Sequence, residues 1–303
     1  MTEVTAPTRI AIQNIVVATD FSACADAAVE YASGLARRYG SMLYMVNVLP
    51  HAPFVESSDA DPEKVKRIAE RKMTDMAGSQ AFQGVTHTEL IREGEVAGVL
   101  SELVRQHQID LIVLGTEGRT GLRKFLLGSV AEEVYRTAEC PVLTVGPHAS
   151  RGLNGGMLQH ILFATDFGPE SEHGLPYAIA LAEEHRARLT MLHVASVPGV
   201  AFAQAETGAL PVIPPYEAVA SGEKQLHELI AKGPPLWREP EYLVQFGPPA
   251  ETIVRIAGKD VDLIVLGVKR PAALTKHLGS GVAYKVVCEA PCPVLSVGAP
   301  YHR

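Results

Sequence analysis

The chain of 303 residues is written twice, and no other feature limits its fold as much. Ile15–Ser22 (IVVATDFS) returns as Ile161–Gly168 (ILFATDFG) at an offset of 146 residues, and the same offset pairs Tyr31 with Tyr177, Ala32 with Ala178, Leu35 with Leu181 and Val48 with Val194. Asp110–Gly115 (DLIVLG) returns as Asp262–Gly267, and Cys140–Gly146 (CPVLTVG) as Cys292–Gly298 (CPVLSVG), both at an offset of 152. Order, spacing and residue identity agree at three places, and a drift of six residues is what variation in loop length produces. The fold must therefore be one that half the chain can complete. The expected organisation is a domain over residues 1–148, a linker over 149–156 (ASRGLNGG) whose Gly, Ser and Asn suit a flexible connection, and a second domain over 157–303.

Within each copy the hydrophobic pattern alternates between two periods. In the first, Ile15–Ala18 is a short apolar run of strand type, followed by Ala25, Ala28, Val29, Ala32, Leu35 and Ala36 at the spacing of one helix face. Leu43–Val48 and His87–Arg92 read as further strands, with helical patterns through Val65, Ile68, Ala69, Met73 and Met76 and through Val96, Val99, Leu100, Leu103 and Val104. Leu111–Leu114 is apolar at every position, as in a strand covered on both faces. A helix over Ser129–Thr137 and a strand over Val142–Val145 complete the copy. Strands joined by helices of this length predict an α/β fold, two tandem doubly wound domains, each a five-stranded parallel sheet with helices on both faces. Ligands of such sheets bind beyond the carboxyl ends of the strands, where strand order reverses.

Composition narrows the function classes. Acidic residues outnumber basic ones by 34 to 27, which speaks against a binder of nucleic-acid backbones. No apolar run approaches the ~18 residues of a membrane span, and the start MTEVTAPTRI lacks the basic region and apolar core of a signal peptide. Four cysteines without a CxxC pair predict free thiols in a reducing cytoplasm.

The residues after strands one and four are the places to search. Asp20 and Asp166 follow the first strands, where an Asp caps a helix or forms a turn as readily as it meets a ligand. After strand four the first copy reads GTEGRTGLRKFLLGS, Gly115–Ser129, with Arg119, Arg123 and Lys124 against Glu117. Glycines let backbone N–H groups approach phosphate oxygens, and a helix start is a ready anion site. Ser129 and Glu132 have the S-x-x-E spacing of a capping box ahead of Val130, Ala131, Val134 and Tyr135. An ordinary strand-to-helix loop explains the composition equally well, but a connection of this length is more often functional.

The arrangement G-x2-G-x9-G-[ST], carried by Gly115, Gly118, Gly128 and Ser129 after an early A-T-D-F-S, resembles the nucleotide-binding pattern of the universal stress protein (UspA) family. The likeness extends over nearly the whole chain as two copies, and the CPVLTVG and CPVLSVG strands also fit it. It implies an adenine nucleotide alpha-hydrolase-like fold and, as in many members, binding of ATP, with Mg2+ held only through the ATP phosphates. By the resemblance, Asp20 and the backbone at Val48 would meet adenine. Gly115 and Gly118 would line the ribose and phosphates, and Gly128, Ser129 and the Val130 amide would cradle the terminal phosphates, with Thr19, Thr116 and Arg119 also counted in the nucleotide site. It also implies pairing of the two repeats within the chain through the last strands, Val142–Val145 and Val294–Val297, with a homodimer still open.

The second copy departs from the pattern. Asp166, Val194 and Gly267 are kept, but Arg270 stands where the second glycine belongs, only eight residues separate it from Gly279 and Ser280, and Ala283 replaces the capping glutamate. The side chain of Arg270 and the fixed φ of Pro271 would crowd a pocket lined by backbone. One competent site in the first repeat and one degenerate site are expected.

Other features carry less. The eleven histidines show neither H-x3-H nor HExxH spacing, and His193 reads as a hydrogen-bonding residue at a strand end. A Walker A motif and a G-x-S-x-G elbow are both absent. The segment Pro198–Pro215 reads as a surface loop or a lid. A regulatory nucleotide binder is therefore expected ahead of a slow ATPase or a phosphoryl- or nucleotidyl-transfer enzyme. A third possibility is a second repeat that takes a lipid or another small molecule.

Overall fold

The computed structural model describes residues 10–50, 61–117, 127–149, 157–195, 216–231, 233–269 and 281–298. Ala11–Met157 form one compact unit, and Leu158–Lys269 with residues 281–298 form the body of another.

In the first unit the chain runs β1 (Asn14–Ala18), α1 (Ala23–Tyr39), β2 (Met42–Leu49), α2 (Pro62–Ala77), β3 (His87–Glu93), α3 (Val96–His107), β4 (Leu111–Gly115), α4 (Ser129–Thr137) and β5 (Val142–Val145). The strand order is β3-β2-β1-β4-β5, and all the pairings are parallel. The order reverses between β1 and β4, so their carboxyl ends open the crevice in which such sheets bind ligands. Ile15, Val16, Val17, Ile112 and Val113 are buried, as a central strand covered by helices on both faces requires. Each such side chain stabilises the fold by about 1.5–3 kcal/mol.

Helix ends follow their sequence signals. Ser22 caps α1, its side chain accepting from the Ala25 N–H, and Gly40 ends the helix at φ 67° with its N–H on the Ala36 carbonyl. Pro62 opens α2, where the missing N–H costs nothing, and the Asp61 side chain accepts from Glu63.

The second unit runs β6 (His160–Thr165), α5 (Pro169–Glu172), α6 (Leu175–His185), β7 (Arg188–Ala195), α7 (Tyr216–Ala231), β8 (Glu241–Phe246), α8 (Pro249–Ala257), β9 (Leu263–Val268), α9 (Val282–Glu289) and β10 (Val294–Gly298). Its order, β10-β9-β6-β7-β8, repeats that of the first unit, again with parallel pairings. One difference bears on the site. The single long helix α1 has two short counterparts, α5 and α6, because Pro176 has no N–H to offer the Glu172 carbonyl. The break lies at Gly174, where a Cβ would stand 2.9 Å from the backbone nitrogen of Gly267.

No disulfide joins any of the four cysteines. Among the described residues no helix is long and apolar enough to cross a membrane.

Candidate functional site

The site begins where β1 runs out. The Thr19 N–H still donates to the Val46 carbonyl at 2.9 Å, and the chain then turns sharply. Thr19 Oγ1 accepts the Phe21 N–H at 3.0 Å, and Asp20 Oδ1 accepts the Ser22 N–H at 3.0 Å. Phe21 sits at φ 63°, a conformation that costs a residue other than glycine on the order of 1 kcal/mol or more. The second unit builds the same turn, with Phe167 at φ 62°, its N–H on Thr165 Oγ1 at 2.9 Å and the Gly168 N–H on Asp166 Oδ1 at 2.9 Å. Both aspartates are thus turn formers, and the helix cap falls two residues later in the first unit, on Ser22.

The second wall is the end of β4. A Cβ on Gly115 would lie 2.8 Å from the backbone carbon of Cys24 and 3.0 Å from the Ala25 nitrogen, so this glycine lets the start of α1 press against the strand. Ser22 Oγ donates to the Glu117 carbonyl at 3.4 Å, which ties the two strand ends together. The loop that follows returns to its origin, since the Gly128 N–H donates to the Thr116 carbonyl at 2.8 Å.

Gly128, and not Ser129, is the N-cap of α4, and among the described residues no side chain caps this helix. The capping box expected from Ser129 and Glu132 therefore does not form. Ser129 is one residue too far inside the helix, because the hydrogen bond between Gly128 and Thr116 fixes where the helix starts. Among the described residues the first N–H groups of α4 have no side-chain acceptor.

These parts enclose a cavity of about 200 Å3. Thr19, Asp20, Val48, Gly115, Thr116, Gly128, Ser129 and Val130 all line it, which is eight of the ten nucleotide-site residues expected in the first copy. The other two, Gly118 and Arg119, lie outside the described residues, as do Arg123 and Lys124. Sequence reasoning missed the apolar wall of Ala18, Val46, Val96 and Leu114, together with Glu117. Val46 was within reach, since it lies two residues from Val48 on the same face of β2.

The cavity has an apolar side that suits a flat ring and a polar side of hydroxyls and helix N–H groups that suits an anion. Among the described residues no cation lines it, while Asp20 and Glu117 bring carboxylates to it. Burial holds the carboxyl of nearby Asp26 above the ordinary range, with the Asp20 charge adding to the push and Lys72 opposing it. Burial also pushes the thiol of Cys24, which packs against Gly115, above its ordinary value.

The corresponding region of the second unit differs in its described parts. Gly267 is crowded more tightly, with a Cβ there falling 2.1 Å from the Glu170 carbonyl oxygen. Lys269, which matches Glu117 at the offset of 152, pairs across to Glu170 at 3.7 Å. Helix α9 begins at Val282 with Gly281 as its cap, so a valine stands at its first position where α4 has Ser129. Asp166 is exposed and Val194 half-buried, whereas Arg270, Gly279, Ser280 and the Pro198–Pro215 segment lie outside the described residues. His193 behaves as expected of a strand-end residue. Its Nδ1 donates to the Thr165 carbonyl at 2.9 Å, as Asn47 Nδ2 does to the Thr19 carbonyl at 2.8 Å, and its ring stacks on Phe167.

Fold and site together define a doubly wound α/β architecture present in two copies, with a cavity at the strand ends of the first. A family model described as the universal stress protein family matches residues 11–146 and again 157–298. A universal stress protein of Methanocaldococcus jannaschii is 35% identical over 139 residues, which make up 44% of this chain and 81% of that protein. A Staphylococcus aureus protein of the same family name is 33% identical over 141 residues, 45% of this chain and 85% of its own length. The crystal structure of a universal stress protein from Archaeoglobus fulgidus aligns over 95% of this chain and 99% of its own with a TM-score of 0.67; at 17% identity that likeness speaks for the fold alone. The chain belongs to the universal stress protein family, as a tandem two-domain member.

Proposed function

We propose that the first repeat binds ATP, with Mg2+ on its phosphates, and that the protein is a regulatory nucleotide binder of the cytoplasm that acts in the stress response. One observation carries this reading: a single cavity gathers eight expected residues beside a helix start that, among the described residues, no side chain caps. The apolar wall at Val46 and Val48 would take the adenine, the Asp20 carboxylate would accept from its amino group, and the Ser129 hydroxyl and the N–H groups of α4 would face the phosphates. Two carboxylates at the cavity repel bare phosphates, which favours the nucleotide as its Mg2+ complex. The cations Arg119, Arg123 and Lys124 would balance the remaining charge.

In this reading the second repeat holds no ATP. The Lys269–Glu170 pair and the start of α9 on Val282, where α4 starts on Ser129, support that asymmetry, alongside the replacement of a motif glycine by Arg270. Binding serves as the signal, and turnover is incidental. Pairing of the two repeats through Val142–Val145 and Val294–Val297 belongs to the same proposal, and sedimentation of the full chain as a monomer would be its expected sign.

Calorimetric titration of the full chain with MgATP tests the reading. About one site per chain is expected, and Gly118→Ala combined with Gly128→Ala should abolish it. Two equal sites, none, or unchanged affinity in the double variant would overturn the assignment.

A further inference from the structure

The two repeats differ by one step in the ladder between their first two strands, at the end where β1 and β2 meet the cavity. In the first repeat the register of β1 on β2 ends with Ala18 opposite Val46. In the second, the matching pair, Ala164 opposite Leu192, is followed by one more, Thr165 opposite His193. At the offset of 146 residues, Thr165 corresponds to Thr19 and His193 to Asn47.

The pattern of a parallel ladder fixes which atoms the extra step joins. The Thr19 N–H donates to the Val46 carbonyl, so a continued ladder would next send the Val48 N–H to the Thr19 carbonyl and then the Phe21 N–H to the Val48 carbonyl. Neither bond forms in the first repeat. The Thr19 carbonyl accepts from Asn47 Nδ2 at 2.8 Å instead, and the Phe21 N–H goes to Thr19 Oγ1 at 3.0 Å. Strand β3 does not use the Val48 peptide groups either. Alternate residues of a strand turn to opposite neighbours, and on that side it is the Leu49 carbonyl that accepts, from the Gly94 N–H at 2.9 Å. Among the described residues, the N–H and the C=O of Val48 are thus both without a partner, in the wall of the cavity that Val48 lines.

In the second repeat the pairing of Thr165 with His193 puts the Val194 N–H on the Thr165 carbonyl. His193 Nδ1 donates to the same oxygen at 2.9 Å, so this carbonyl is served from the backbone and from a side chain. The Thr19 carbonyl relies on Asn47 alone among the described residues. That arrangement has a cost. Asn47 is 6% exposed, and among the described residues its Oδ1 has no hydrogen-bond partner. A buried amide oxygen left in that state destabilises the fold, and closing the ladder would add a backbone hydrogen bond. The first repeat keeps the open step in spite of both.

We propose that Asn47 is a positioning residue that holds this step of the ladder open. Its amide gives the Thr19 carbonyl the donor that Val48 withholds, so the Val48 peptide stays available as a neighbouring donor and acceptor for the edge of a planar ring. The inference rests on the reading of the cavity as a nucleotide site and adds how its base end is kept free. It also gives the second repeat a further defect, independent of Arg270 and Lys269: the donor half of the Val194 edge is already spent on Thr165. Without the Asn47 amide, the buried Thr19 carbonyl has the Val48 N–H as its nearest replacement, and the ladder closes over the edge.

Hydrogen exchange of assigned backbone amides in the full chain tests this. In the ligand-free protein the Val48 amide should exchange rapidly while those of Val46 and Val194 stay protected. Saturating MgATP should protect Val48 and leave Val194 as it was. A Val48 amide protected without ligand overturns the proposal, as does one that still exchanges rapidly in a complex that calorimetry shows to have formed. Absence of any MgATP binding by calorimetry would instead overturn the reading of the site, and this use of the edge with it, even where the free-chain amides behave as expected. Asn47→Leu removes the amide and keeps the bulk. It should protect Val48 in the ligand-free chain and lower MgATP affinity about tenfold. Unchanged affinity, or a loss of affinity with Val48 still exchanging rapidly, would overturn the positioning role. If the variant does not fold, the wild-type exchange pattern decides alone.

Discussion

The ends of β4 and β9 began as the same strand end and now differ in what they leave open. Both keep a glycine against the first helix of their repeat, Gly115 over Cys24 and Gly267 over Glu170. Beyond it, the first unit keeps a cavity beside a hydroxyl-bearing helix start, while the second spans the equivalent positions with the Lys269–Glu170 pair. The shared part maintains the packing of helix on strand. The part that differs is where a ligand would sit, and in the reading proposed above the second copy holds the architecture without holding the site.

Breaking the shared part should have the largest effect. Gly267→Ala places a methyl 2.1 Å from a backbone oxygen and should destabilise the second unit by about 3 kcal/mol or more; Gly115→Ala, with its nearest contact at 2.8 Å, should cost the first unit less. Urea midpoints, with Trp237 reporting the second unit, check the order, and a reversed order would show that the two glycines do different jobs.

The site itself comes next. Asp20→Asn keeps an oxygen to accept the Ser22 N–H, so the turn survives while the charge is lost. MgATP affinity should fall about tenfold, in line with a hydrogen bond to a charged group. Asp166→Asn, at the matching turn of the other repeat, should leave affinity unchanged. Equal losses from both substitutions would mean that both repeats bind.

Smaller effects sharpen the electrostatic contrast. Burial pushes the Asp260 carboxyl up, but its hydrogen bond from Arg188 and the nearby His160 outweigh this and hold it below the ordinary carboxylate value. It therefore contributes stability above that value and loses it as the pH falls through the folded one. Because Asp260 is half exposed, Asp260→Asn should cost no more than about 1 kcal/mol at pH 7 and nearly nothing at pH 3, by urea unfolding. Lys269→Met should do least, within about 0.5 kcal/mol, since its ion pair is largely solvated. If Lys269→Met instead gave the second repeat measurable MgATP affinity, the pair would be a closed gate and the asymmetry reversible.

Much of this molecule is legible in one dimension. The recurrence of DLIVLG and CPVL[TS]VG fixes two like domains, and alternating periods fix parallel strands with covering helices, because both signals are local and repeat within a few residues. Eight of the expected site residues meet at one cavity because they follow strand ends, and strand ends of a parallel sheet converge. The broken helix of the second repeat has a local cause, the missing N–H of Pro176, but the sequence reading above does not use it.

Other features depend on partners far along the chain. Whether Gly128 or Ser129 caps α4 is decided by a hydrogen bond back to Thr116 across the loop, and nothing in the S-x-x-E spacing reveals it. The value of Gly115 as packing space depends on Cys24, and the hydrogen-bonded cluster around His160 draws Arg188, Thr190, Glu241 and Asp260 from four separate places. Sequence by itself determined the duplicated α/β architecture and the strand ends at which to search. Tertiary structure decided which of those residues hold the backbone, which face a cavity and which peptide groups a ladder leaves open, because hydrogen-bond partners and excluded volume exist only once distant segments share the same few ångströms.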